Sequence, residues 1–431
     1  MTTGVEQQPL IGAFRWNAPG KPLSLYRGLV AINGDPASCD IKLDTSNGLS
    51  VRWELKNINQ HLDDEIDIVL RRGPWRGNTI RALVLGSDGY GVIARPQSMG
   101  TGQPMVRVVS HWFNLPVLLM LGLLAEDNRR WRGRWFCVAG EWSITLDSRF
   151  DLINVEAETA NTTRSAMTHV CDLHRTDGNA FEQVEAAHVL AGLQLAFSFA
   201  LGRWIAPALP IGYNDDGAPV WTQWGPWRCD PMHGSESWLD THRADDLAAF
   251  VALFLDAWLD PSRHDIVKYY AHHVIAANHS GTTTEGRIML AQAGMEYLSW
   301  VTNVLSGRMS KTAYERTFAQ AHEVVRGLIG EARIPSGIPK ELDTLASFAT
   351  QTNADGPRVV SQVRNKLVHP KNPAAVYEID NLVVESWQLF MHYSDLLLLN
   401  WLGYTGSYIW RLPGGFAHAS TVVPWSQKPS P

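Results

Sequence analysis

A chain of 431 residues with 45% hydrophobic residues is long enough for two or three domains, each with a substantial core. Only 19% of the residues are charged and the formal net charge is -6, so an anion or a nucleic acid has to be held by a local patch and not by the overall field. The opening stretch MTTGVEQQPL lacks the basic start and apolar run of a signal peptide, and no later stretch reaches the uninterrupted apolar length of a membrane span; a cytoplasmic chain is expected.

Up to about residue 180 the sequence reads as short strands. LSLYRGLVAI, GLSVRWEL, IDIVLRRG, IRALVLG, GYGVIARP, MVRVVSHWF, RWFCVAG and EWSITLD are rich in valine, isoleucine and aromatic residues, and clusters of Gly, Pro, Asn and Asp bound them. That spacing predicts a sandwich or barrel-like sheet. VLLMLGLLAED at 117–127, opened by Asn114, Leu115 and Pro116, is expected to be a short helix. From about residue 181 the period becomes helical, beginning with FEQVEAAHVLAGLQLAFSFALGRWI, and GYNDDGAPVWTQWGPW predicts a hairpin turning on Asp215, Asp216 and Gly217. Apolar positions at three- and four-residue steps then recur through segments such as DDLAAFVALFLDAWL, KTAYERTFAQAHEVVRGLIGEA and GPRVVSQVRNKLV. The expected class is α+β, with a β-rich domain over 1–235, an all-α bundle over 236–412 and a tail over 413–431 rich in Pro, Gly and Ser.

Cys39, Cys137, Cys171 and Cys229 are too few and scattered for a disulfide framework and are expected as free thiols. Cys171-x2-His174 and Cys229-x3-His233 supply four conceivable zinc ligands without the compact knuckle such sites use, so no metal and no cofactor is expected. There is no Walker A loop, HExxH, paired CxxC or nucleophile elbow, and GSDGYG at 86–91 reads as a turn.

Chemistry concentrates in VRNKLVHPKNP at 363–373. Val359, Val360, Val363 and Leu367 make an apolar helical stripe, with Asn365 and His369 on another side, four residues apart. Arg364 and His369 are five apart, roughly 140° around the axis and about 7.5 Å along it, so one straight helix cannot aim both at one phosphate oxygen. Pro370 disfavours α geometry at His369 and can swing it away. Alternatively, a second copy related by a two-fold axis can complete a composite site. A histidine that exchanges protons near neutral pH and an arginine with a planar fork for phosphate suit metal-free RNA cleavage, in which a ribose 2′-hydroxyl attacks the adjacent phosphorus and leaves a 2′,3′-cyclic phosphate. A bland alternative is that basic residues simply compensate the carbonyl end of the helix.

Arg364-Asn365-Lys366-Leu367-Val368-His369 resembles the R-x4-6-H motif of HEPN domains, in which Asn often follows the Arg late in a helical bundle. YSDLLLLNWLGYTGSYIWR at 393–411, together with FNLP and LAFSFALGRWIAPALPIGYNDDGAPVWTQW, is similar to segments of large two-domain bacterial HEPN proteins, including ApeA-like anti-phage proteins. The resemblance touches both halves, but only the six-residue motif carries chemistry. It implies a dimeric endoribonuclease of defence or toxin type, with Arg364 and His369 as catalytic pair, Asn365 as organiser, and an acidic residue on an earlier helix, Glu296 first and Glu285 second. It also implies an N-terminal domain that senses a phage-derived or nucleotide trigger, or positions substrate. Where related toxins carry a tyrosine two residues after the histidine, this chain has Pro370 and Lys371, so regulation through that tyrosine is not expected. A non-catalytic HEPN sensor or scaffold that only binds RNA or nucleotide is the alternative.

RNA, a tRNA or another single strand, is the expected partner. Two stretches join arginines to tryptophans: Arg71, Arg72, Trp75 and Arg76, and then Arg129, Arg130, Trp131, Arg132 and Arg134. Guanidinium groups contact phosphates and indoles stack on bases, so these are candidate RNA-binding residues, with Lys371 beside the motif. The competing expectation is a pair of hairpins whose tryptophans pack inward while the arginines are solvated.

Overall fold

The computed structural model describes residues 5–56, 62–86, 89–118, 121–232, 237–369, 373–411 and 420–427. The chain is mixed α+β and divides into two compact units, one of residues 1–194, 204–234 and 241–244, the other of 195–203, 235–240 and 245–431.

In the first unit, β1 (Leu23–Ile32) and β2 (Asp35–Asp44) form a hairpin around Asn33 and Gly34, both at positive φ, the two-residue turn whose twist matches the strands. With β3 (Ser50–Lys56), β4 (Glu65–Leu70), β5 (Thr79–Val84) and β6 (Tyr90–Val92) they close a six-stranded barrel in the order β1-β2-β3-β6-β5-β4. The alternation is regular: Val51, Trp53 and Leu55 of β3 and Ile66, Ile68 and Leu70 of β4 are buried, while Arg52, Glu54, Glu65 and Asp67 are exposed.

The second sheet of this unit is built from β7 (Gln97–Gly100), β8 (Arg107–Phe113), β9 (Gly122–Glu126), β10 (Arg129–Ala139), β11 (Trp142–Ser148), β12 (Met167–Arg175), β13 (Ala206–Tyr213) and β14 (Pro219–Trp224). Their order is β7-β14-β13-β8-β12-β11-β10-β9. Central β8 is buried from Val108 through Phe113, as a strand covered on both faces must be. The hairpin expected at Asp215, Asp216 and Gly217 joins β13 to β14, with Gly217 at positive φ. The helix expected over 117–127 is corrected: residues 122–126 are β9, paired antiparallel to β10 around a turn at Asp127. A short apolar run suits a buried strand as well as a helix, and the strand that follows supplies its ladder.

α1 (Leu152–Thr159) connects β11 to β12, and α2 (Gln183–Leu201) follows β12. By length and apolarity α2 could cross a membrane, and 67% of its apolar window is buried within the protein. Two histidines of the first unit are also fully buried. His111 accepts from the Ala13 N–H at Nε2 (3.1 Å) and therefore donates through Nδ1 to the Leu209 carbonyl (3.0 Å), a neutral ring whose pKa burial lowers to about 4. Burial lowers His169 to about 3. Because these folded-state values lie below the ordinary one, the unfolded chain binds more protons as pH falls through 6.5, and stability present above that pH is lost below it. We expect denaturant melts between pH 6.5 and 4.5 to show His169→Phe shallower than wild type by about 1.4 kcal/mol per pH unit; parallel slopes would contradict the burial account.

The second unit is helical. After α3 (Ala244–Leu259) and α4 (His264–Asn278) comes α5 (Thr284–Trp300), which runs into a π turn at Val301–Leu305. The expected single helix over 311–332 is two, α6 (Lys311–Thr317) and α7 (Ala321–Glu331), because Gln320 starts a new helix with a capping box closed by Glu323. α8 (Asp343–Thr352), α9 (Gly356–Val368) and α10 (Leu382–Trp401) complete the set. The described part of the tail is a strap: β16 (Thr421–Val422) pairs with β15 (Ser407–Tyr408), and Trp425 Nε1 donates to the Tyr404 carbonyl at 2.7 Å.

Candidate functional site

α9 carries the Arg–His motif, and its start is fixed by several contacts. Asp355 caps it, accepting from the Arg358 N–H at 3.0 Å, and Arg326 of α7 grips the same carboxylate through two bonds of 2.9 and 3.0 Å. Gly356 donates its N–H to the Ser336 carbonyl. A Cβ there would lie 2.8 Å from that oxygen and collide with the Tyr393 hydroxyl. Gly356→Ala is therefore expected to lower stability by about 1–3 kcal/mol in thermal melts, and a variant melting with wild type would show that the start of α9 can shift freely.

From there the helix buries Val359, Val360 and Val363 completely and leaves Leu367 half-buried. This apolar stripe orients the rest of the helix. The helix ends at Val368: His369 donates its N–H to the Asn365 carbonyl at 2.9 Å, and its own backbone, at φ -124° and ψ 64°, has left α geometry ahead of Pro370. The His369 side chain is exposed and Arg364 is half-buried. Arg364 Nη1 donates to Asn365 Oδ1 at 3.1 Å, while its Nε is buried with no hydrogen-bond partner among the described residues. The guanidinium can thus be re-aimed for the loss of one hydrogen bond. No hydrogen bond or ion pair joins Arg364 to His369 among the described residues. Lys366 sets its ammonium 5.5 Å from the Phe348 ring of α8.

The acidic candidates part company. Glu296, exposed on α5, accepts from Gln292 Nε2 at 2.9 Å and lies beside Tyr314, whose hydroxyl is pushed up by burial, with a smaller push from the Glu296 charge. The described residues show no hydrogen bond or ion pair from it to Arg364, Asn365 or His369. Glu285, in the first turn of the same helix, accepts from the Tyr377 hydroxyl at 2.8 Å, which ties it to the segment just after the motif. Its own backbone N–H and the Tyr377 hydroxyl hold its carboxyl below the usual range.

The arginine-rich stretches lie in the first unit. Arg71, Arg72 and Arg76 are exposed, but Trp75 is 7% exposed in the core of the barrel, so it offers no face to a base. That part of the expected platform is corrected: the apolar indole gains more from burial than from solvent. On β10, Arg134 is held by Asp147 through bonds of 2.6 and 2.7 Å, and Arg130 by Glu6 at 2.5 Å; both are engaged within the protein. Arg132 is exposed and, among the described residues, reaches the Leu121 carbonyl at 3.5 Å. Arg129 lies over the Phe150 ring at 5.2 Å, and half-buried Trp131 meets that ring edge-on and donates to the Ser148 carbonyl at 3.1 Å. Lys371 lies outside the described residues.

All four cysteines are buried thiols outside any disulfide. Cys171 and His174 lie three apart on β12 and so face opposite sides of the sheet, and burial pushes the Cys171 thiol up to about 12. His233 is outside the described residues, and among the described ones no group of three His, Cys, Asp or Glu is placed to hold a metal ion.

Residues 100–235 match the model of the YopA central domain, and residues 260–422 that of the YopA C-terminal domain. The second stretch contains the whole α9 motif, while the barrel precedes both. The SPbeta prophage-derived uncharacterized protein YopA of Bacillus subtilis (strain 168) is 25% identical over 314 residues, which is 71% of this chain and 69% of that protein. No solved structure matches.

Proposed function

We propose that this chain is a metal-independent endoribonuclease of HEPN type, acting as a homodimer with Arg364 and His369 as its catalytic pair. What carries the reading is the end of α9: His369 is solvent-facing and out of helical geometry, five residues beyond an arginine that Asn365 orients and whose Nε has no hydrogen-bond partner among the described residues. In this scheme His369 takes the proton of a ribose 2′-hydroxyl as that oxygen attacks the phosphorus, and a histidine returns a proton to the departing 5′-oxygen. Arg364 meets the negative charge that grows on the phosphoryl oxygens. The exposed guanidinium groups of Arg71, Arg72, Arg76 and Arg132 are proposed phosphate contacts for the strand. A regulated anti-phage or abortive-infection role fits a chain whose relative is prophage-derived by name, and a cytoplasmic location follows from that role.

One observation favours a second reading, the non-catalytic scaffold: Glu296, the first-choice acidic partner, is engaged with Gln292 and lies beside Tyr314. Expression in growing cells separates the two. A nuclease arrests growth as wild type and not as His369→Ala at equal protein level, with or without a co-expressed trigger; a scaffold gives the same growth for both.

A further inference from the structure

Beside β10 the first unit has a cavity of about 330 Å³ that the motif chemistry does not use, lined by Trp16, Glu126, Arg129, Trp131 and Phe150 among others. Two of its walls are large aromatic rings left open to solvent, Trp16 at 40% and Phe150 at 48%. Together they leave apolar surface in water that a flat guest can cover. Of the other charges that line it, Asp147 and Asp151 are engaged, while Glu126, exposed and directly across the strand pair from Arg129, makes no hydrogen bond or ion pair among the described residues. Asp147 is held by Arg134, and Asp151 by Arg149 through bonds of 2.5 and 3.0 Å. Arg149 also donates to the Asn17 and Met167 carbonyls at 2.9 and 3.0 Å and covers one face of Trp16 at 5.6 Å. Arg129 is different: it is exposed, makes no hydrogen bond or ion pair among the described residues, and rests on Phe150, near enough to Asp151 for its charge to help Arg149 hold that carboxyl below the usual range.

We infer that this cavity binds a single nucleotide. Its planar base lies on the open faces of Trp16 and Phe150, and its phosphate pairs with the guanidinium of Arg129. The volume sits at the lower end of the roughly 300–1,000 Å³ of small-molecule sites, which suits one nucleotide and not a strand. A cationic guest of the aromatic-cage kind is disfavoured because guanidinium groups already lie over Trp16 and Phe150 and because, of the three lining carboxylates, Asp147 and Asp151 are neutralised by arginine, which leaves Glu126 alone against Arg129. The site lies wholly in the β-rich unit and stands or falls independently of the ribonuclease reading.

The test is calorimetric titration of the full chain with AMP, UMP, adenosine, ribose 5-phosphate, tetramethylammonium and a short oligonucleotide. Saturable binding of a nucleoside monophosphate is expected, with adenosine and ribose 5-phosphate each weaker by about tenfold or more. Arg129→Gln, an exposed substitution whose fold is checked by its melting temperature, is expected to bring AMP down to the level of adenosine and leave adenosine unchanged. Trp16→Ala is expected to weaken both. The inference is overturned if no monophosphate binds saturably, if both variants bind like wild type, if tetramethylammonium is the preferred guest, or if only the oligonucleotide binds.

Discussion

Arg411→Ala is expected to destabilise the helical unit by about 3–5 kcal/mol, lowering its melting temperature by roughly 10 °C. Arg411 and Asp395 are 1% and 3% exposed and pair in bidentate fashion through Nε and Nη2, Nη2 lying 3.2 Å from Oδ1, while Nη1 donates to Asn278 Oδ1 at 2.8 Å. Asn278 in turn donates to the Gly202 carbonyl at 2.6 Å. This network ties α10 to the end of α4 and to the chain after β15. Burial pushes the Asp395 carboxyl up and Arg411 opposes that shift, so removing the arginine leaves a carboxylate that must either stay charged without its cation or take a proton. The damage comes from the orphaned partner, not from the attraction lost. Replacing both residues, Arg411→Met with Asp395→Leu, is therefore expected to recover most of the stability, and a double-mutant cycle measures the coupling. Equal losses in the single and double variants would show that the pair's net attraction, and not the orphaned charge, sets the cost.

Little of that network was legible in advance. Asp395 was visible only as an interruption of an apolar run, and its partner lies sixteen residues away, past a helix end. Local signals fared better where local physics decides. The Asp215-Asp216-Gly217 turn and the valine stripe of α9 follow from backbone preference and helical period, and both are present. β2 went unanticipated because DPASCDIKLD carries three aspartates and a proline, yet Asn33-Gly34 ahead of it is a strong hairpin signal, and that signal outweighs poor strand composition. At 117–127 the residues suit helix or strand, and the choice was made by β10, the neighbouring strand. Trp75 and Trp131 look alike in sequence, each among arginines, but one belongs to the barrel core and the other borders a cavity. The walls of that cavity, Trp16, Trp131 and Phe150, come from separate parts of the chain, so no window of sequence could assemble them. The site residues divide the same way: Arg364, Asn365 and His369 fall on one helix end because they are neighbours in sequence, although only Arg364 and Asn365 touch, whereas the acidic partner on α5 depended on packing that periodicity does not report.

On the proposed reading, His369→Ala removes the group that moves protons at the end of α9, and cleavage is expected to fall by about 10²–10⁴-fold. Folding should be unaffected, since the side chain is exposed and only its backbone N–H bonds to the helix. Arg364→Ala is expected to cost about 10²–10³-fold, by withdrawing the charge that meets the phosphoryl oxygens. The most direct measurement is the chemistry of the RNA ends made by purified protein from total cellular RNA and tRNA in the presence of a chelator. Products ending in 2′,3′-cyclic phosphate with wild type, and absent with His369→Ala of equal melting temperature, are what the account predicts. Equal cleavage by both proteins, or cleavage that the chelator abolishes, would contradict it.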